Sequence, residues 1–147
     1  MSPDDTPPLL QRLVRDFGAE WVDQDGLPAW SAAGGDRVLL LAGDPVRFPE
    51  GQDVAAVLPE IQKSFPGRLR VGVATRADEA ALARRYSAPK WPSLLFFRDG
   101  DYVTAIGGMQ DWDVFLRSVD QALAAPPSRV PGIGIPLVAA QPGSCGA

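Results

Sequence analysis

The sequence predicts an α/β protein, a three-layer α/β/α sandwich with a mixed central sheet, closed by a C-terminal β-hairpin and helix. Three observations predict it. Apolar runs of strand length alternate with stretches whose apolar residues recur at helical spacing, the pattern of strands joined by crossover helices. One run, Arg37 to Ala42 (RVLLLA), is apolar without alternation, as a strand buried on both faces must be. Near the end, Asp99-Gly100 separates two β-type runs, and an Asp-Gly pair in that position signals a tight hairpin. The alternation implies parallel strands and the hairpin antiparallel ones, so the sheet is mixed.

Each element follows in chain order. Thr6-Pro7-Pro8 reads as an N-cap with prolines in the first turn, and Leu9, Leu10, Leu13, Val14 and Phe17 form one helix face up to Gly18. Ala19 to Asp23 (AEWVD) is a short strand, broken by Asp25-Gly26. Leu27 to Ala33 is a short helix with Trp30 packing inward, and Gly34-Gly35 precede the central strand. A loop from Gly43 to Gln52 follows. Asp53 is expected to cap a helix carrying Val54, Val57, Leu58, Ile61 and Phe65, which Pro66-Gly67 end. Leu69 to Thr75 is the next strand and Asp78 to Tyr86 the next helix. Ser93 to Arg98 (SLLFFR) and Tyr102 to Ile106 form the hairpin. Asp111 is then expected to cap a helix that buries Trp112, Phe115, Leu116, Val119 and Leu123. Trp21, Trp30 and Trp112 all fall on apolar patterns and are expected in or just beneath the core. Residues 1–125 thus form one domain, and residues 126–147 a Pro/Gly-rich tail that cannot be a regular helix. Within that tail Pro131 to Val138 is apolar enough to lie against the body or a partner, which leaves a homodimer open.

Composition narrows the function. Fourteen Lys and Arg stand against 18 Asp and Glu, a formal charge of −4, and nucleic-acid binders usually carry a basic stripe instead. No apolar run is long enough to span a bilayer, so no stable membrane insertion is expected. The N-terminus MSPDDTPPLLQ has acids where an export signal has basic residues, which points to the cytoplasm. Histidine is absent and Cys145 is the single thiol. A protein-only zinc site lacks its ligands, and a Ser-His-Asp or Cys-His catalytic unit lacks its base. No cofactor is implied.

The stretch from Tyr86 to Ala124 resembles the C-terminal half of thioredoxin: a helix, an apolar residue followed by proline, a hairpin, a Gly-ended strand and a closing helix. The resemblance implies a cis-proline at Pro92 and makes Trp91 the residue that meets a bound polypeptide. It also shows what is missing. Thioredoxins carry Trp-Cys-Gly-Pro-Cys after the central strand, where the helix N-terminus lowers the pKa of the first thiol. Here the corresponding loop is Asp44-Pro45-Val46-Arg47-Phe48-Pro49, without Cys, Ser or Thr. The central strand has Leu41 where thioredoxins have a buried acid. A fold kept for binding after its chemistry was lost fits both absences.

The binding edge then consists of Trp91, Pro92, Gly107-Gly108 and the loop after the central strand. In thioredoxins this edge grips extended polypeptide by backbone pairing beside the cis-proline. Trp is a frequent interface anchor, and Phe48 is a second candidate. Asp44, Glu50 and Asp53 give the neighbourhood a negative cast, which Arg47 opposes.

With no Cys-x-x-Cys, with Trp91-Pro92-Ser93 before the hairpin, and with Glu20-Trp21-Val22-Asp23 and Trp30 ahead of LLLAGDPVRFPE, the sequence is similar to the HupG/HyaE family of hydrogenase expression/formation proteins over about Leu9 to Ala125. The resemblance implies a non-enzymatic maturation chaperone for a [NiFe] uptake hydrogenase. Its expected partner is the small subunit precursor, with its twin-arginine signal peptide, held in the cytoplasm before export. Two rivals stand beside it: a generic redox-inactive thioredoxin-like module docking a different protein, and a thiol enzyme using Cys145. Binding of a twin-arginine peptide separates the first from the expected reading, and thiol-dependent turnover lost in Cys145→Ser identifies the second.

Overall fold

A computed structural model describes residues 7–88 and 90–128. The elements run α1 (Pro8–Phe17), β1 (Glu20–Val22), α2 (Leu27–Ala32), β2 (Asp36–Leu41), α3 (Glu50–Ser64), β3 (Leu69–Ala74), α4 (Glu79–Arg85), β4 (Ser93–Arg98), β5 (Asp101–Gly107) and α5 (Trp112–Ala124). The five strands form one sheet in the order β1-β3-β2-β4-β5. β1, β3 and β2 are mutually parallel, and β4 runs antiparallel to both β2 and β5. Asp99 and Gly100 at the hairpin tip both have positive φ, 51° and 90°, as a type I′ turn requires.

Alternation along the buried strands divides the core in two. Val38, Leu40, Leu94 and Phe96 face α1, α3 and α5, against Leu13, Leu58, Ile61, Phe115 and Val119. Leu39, Leu41, Leu95 and Phe97 face α2 and α4, against Leu27, Trp30, Leu82 and Tyr86. That is why β2 and β4 are apolar on both sides: each is covered twice. The result is the expected three-layer sandwich, with a thioredoxin-like strand order.

Three expectations are corrected. α3 begins at Glu50, three residues before Asp53, with Pro49 at the N-cap position. Gly51 permits this: a Cβ there would lie 2.2 Å from the carbonyl oxygen of Ala42, so only glycine lets the first turn of α3 rest on the end of β2. Trp112 is 41% exposed and Trp21 39% exposed, whereas Trp30 is buried as expected. Asp111 occupies the N-cap position of α5 without a side-chain capping bond, and Leu116 is half-buried. The Thr6 cap, the 131–138 stretch and Cys145 lie outside the described residues. The chain leaves α5 under the control of Arg98, whose guanidinium donates to the carbonyls of Ala122, Leu123 and Ala125 and to Asp36 Oδ1. Ser128 N–H then donates to Tyr102 O on the outer edge of β5.

Candidate functional site

The sheet's pairing brings the predicted site residues to one end. Leu41, the last residue of β2, stands opposite Ser93 at the start of β4, which stands opposite Gly107 at the end of β5. The loops that leave these positions hold Asp44 to Pro49, Lys90 to Pro92 and Gly108. The Trp91-Pro92 peptide bond is cis. Pro92 is buried, and its carbonyl accepts the N–H of Gly108 at 2.7 Å, tying the end of β5 to the cis-proline loop. The Ser93 hydroxyl donates back to Lys90 O. Among the described residues, neither backbone group of Trp91 has a hydrogen-bond partner.

Trp91 and Phe48 are each half-buried and pack on one another, ring centroids 5.9 Å apart. Gly43 makes that contact possible. Its φ is +82°, and an added Cβ would come within 3.0 Å of Phe48 and 3.1 Å of Trp91. Glycine is therefore required here both by backbone conformation and by space. The Arg47 guanidinium lies 5.2 Å above the Phe48 ring. Asp44 Oδ1 accepts the N–H groups of Val46 and Arg47, an Asx turn that shapes the loop. Those two backbone bonds, then the charge of Arg76, hold the Asp44 carboxyl below the usual aspartate range.

Sequence reasoning missed the group beneath this loop. Glu79, the first residue of α4, is only 3% exposed. Its Oε2 accepts the N–H of Gly43 at 3.2 Å, and its Oε1 pairs with Arg76 at 2.5 Å. Arg76 reaches Asp44 Oδ2 with its other terminal nitrogen, at 2.9 Å. One guanidinium thus bridges two carboxylates and locks the loop after β2 to the start of α4. Burial raises the pKa of Glu79, against the pull of Arg76 and the Gly43 amide. The central strand has Leu41 rather than an acid at this end of the sheet, but α4 supplies one there. Also unforeseen are the outward apolar side chains beside the site, Val46 at 88% exposure and Met109 at 41%. Among the described residues, no group of His, Cys, Asp and Glu is arranged to hold a metal ion.

A thioredoxin-like fold whose post-β2 loop has Asp44 to Pro49 in place of a cysteine pair, while the cis-proline edge is retained, defines a class of thioredoxin-fold proteins without the redox motif. The chain belongs to the family described as Hydrogenase-1 expression protein HyaE, which it matches over residues 9–115. It is 54% identical over 145 residues to the hydrogenase expression/formation protein HoxO of Cupriavidus necator, covering 97% of this chain and 90% of that one. It is 40% identical over 130 residues to HupG of Bradyrhizobium diazoefficiens, covering 88% and 87%. A crystal structure of a hydrogenase expression/formation protein hupG from Rhodopseudomonas palustris superposes with a TM-score of 0.51 at 35% identity, covering 71% of this chain and 95% of that one.

Proposed function

We propose that this protein serves hydrogenase maturation as a non-catalytic chaperone. It binds the small subunit precursor of a [NiFe] uptake hydrogenase, its twin-arginine signal peptide included, in the cytoplasm before export. The names of the relatives, hydrogenase expression/formation proteins, support the maturation role. The observation that carries the binding role is Trp91: a half-buried aromatic beside cis-Pro92 whose backbone N–H and C=O have no partner among the described residues. An extended segment of the precursor pairs with those groups while an apolar side chain rests on Trp91 and Phe48. Asp44 and Glu50 lie on the loop and helix start beside it, and favour a basic segment.

The test is affinity capture of the full chain from a hydrogenase-expressing host. Recovery of the small subunit with its signal peptide still attached is expected. Recovery of mature small subunit alone, or of no hydrogenase subunit, contradicts the proposal.

A further inference from the structure

β5 is the last strand of the sheet, so one of its edges has no strand beside it. Such an edge is a template for further pairing, and proteins cover it or break it up. Two of its carbonyls are already taken. Tyr102 O accepts the N–H of Ser128 at 2.7 Å, and Gly107 O accepts Gln110 Nε2 at 2.6 Å. Among the described residues, nothing bonds to the outer edge between these two points. The N–H of Gly108 points inward, to Pro92 O, so alternation along the strand turns the N–H groups of Ala105 and Gly107 outward. A short open window is left on β5, with the chain's own continuation standing at its near end.

Ala125 leaves α5 in an extended conformation, φ −74° and ψ 148°, with its carbonyl held by Arg98. Ser128 then meets β5 at its start, with only Asp101 behind it and the open window ahead. Continued along that edge, the chain runs parallel to β5. N–H groups of an extended chain alternate in direction. The N–H of Ser128 faces β5, so those of Val130 and Gly132 face it too, while positions 127, 129 and 131 face away. Pro127 and Pro131 therefore fall where a missing N–H costs no pairing, which is where an edge strand admits proline. Pro131 also biases Val130 toward extended backbone. Pro136, at an inward-facing position, lies beyond the window. We propose that residues Ser128 to Gly132 pair with the outer edge of β5 as a sixth, parallel strand, Val130 and Gly132 meeting the outward groups of Ala105 and Gly107. Gln110 on Gly107 O ends the pairing there. The occupant is this chain's own segment for two reasons. A second copy's β5 carries the same two bonds on its edge, and a tethered strand has a concentration advantage over a free one. The strand closes the β5 edge to partner segments, whatever the partner is.

Amide hydrogen exchange in the ¹⁵N-labelled full chain tests it. The amides of Ala105 and Gly107 are expected to be protected in the wild type. Gly132→Pro removes an inward N–H and should speed their exchange about tenfold or more. Pro131→Ala adds only an outward N–H and should leave the protection as it is. The amides of Ile106 and Gly108, which bond inward, report on the sheet itself and should not change in either variant. Nuclear Overhauser contacts between Val130 and Ala105 in the wild type are expected as well, and these need no variant to fold. Their absence, exchange of Ala105 and Gly107 at the rate of exposed amides in the wild type, or equal protection in wild type and Gly132→Pro would overturn the proposal. Protection that grows with protein concentration would also overturn it, by putting a second copy on the edge. No hydrogenase component is present in these measurements, so their failure leaves precursor binding at Trp91 standing, and failure there leaves this strand standing.

Discussion

Glu79 gives the site its most specific pH signature. Burial raises its pKa in the folded state above the ordinary value of 4.5. A raised folded pKa means that the folded state favours the protonated form. The group's contribution to stability is then fully present below the unfolded pKa and is lost as pH rises through the folded value. Glu79→Gln keeps an acceptor for the Gly43 amide but cannot titrate. In the window that opens above pH 4.5 the wild type should therefore lose urea stability relative to Glu79→Gln as pH rises. Parallel pH profiles would show that the buried carboxyl is not perturbed. Asp44 runs the opposite way, its stabilisation being lost as pH falls below 3.8, outside that window. A second residue-scale outcome separates two neighbours on α5. Phe115 is 1% exposed and Trp112 41% exposed. Phe115→Ala should cost about 3–5 kcal/mol by denaturant titration, and Trp112→Ala less than about 1 kcal/mol. Similar losses would place Trp112 in the core after all. The sequence placed Trp112 there because it shares a helical stripe with Phe115 and Val119. It is, however, the first residue of the helix, and a helical side chain leans back over the preceding turn. Here no preceding turn exists. Glu79 was illegible for a related reason: an acid in a first turn looks like an ordinary complement to the helix dipole. Only the topology brings it beneath Gly43, 36 residues away in sequence.

At the scale of elements, propensity and pattern located nearly everything whose signal is local. Ser93 to Arg98 is β4 to the residue, and the Asp99-Gly100 turn joins it to β5. The start of α3 was not legible, because it depends on a contact between Gly51 and Ala42 that no local rule encodes. The end of α5 is the clearest case of long-range control. α5 has no basic residue in its last turn, and its closing carbonyls are taken up by Arg98, more than twenty residues earlier on β4. The same guanidinium pairs with Asp36 at 2.7 Å, so one side chain joins β4, β2 and α5. Arg98→Ala should destabilise the protein by about 2–3 kcal/mol, since hydrogen bonds to a charged group are worth more than neutral ones. Arg98→Lys should recover only part, because an ammonium cannot reproduce the fork. Urea midpoints of the two variants check this, and a wild-type midpoint for Arg98→Ala would remove Arg98 from the account of how α5 ends.

For the whole molecule, the sheet order does the functional work. It sets the ends of β2 and β5 beside the start of β4, which gathers Gly43, Phe48, Trp91, Pro92 and Gly108 from three separate loops. The cis-proline edge was legible because its marks, Trp-Pro before a hairpin and Gly-Gly after it, are local. The Asp44–Arg76–Glu79 bridge beneath the loop was not, since it joins the end of β2 to α4 across 32 to 36 residues of sequence. The proposed anchor for the hydrogenase small subunit precursor is Trp91. Trp91→Ala should leave a folded protein, about 1–2 kcal/mol less stable through the lost contact with Phe48. The direct measurement is calorimetric titration of the precursor's signal peptide into wild type and Trp91→Ala. Saturable binding to wild type is expected, weakened by about 2 kcal/mol, roughly thirtyfold, in the variant. Equal affinities in the two proteins would contradict it.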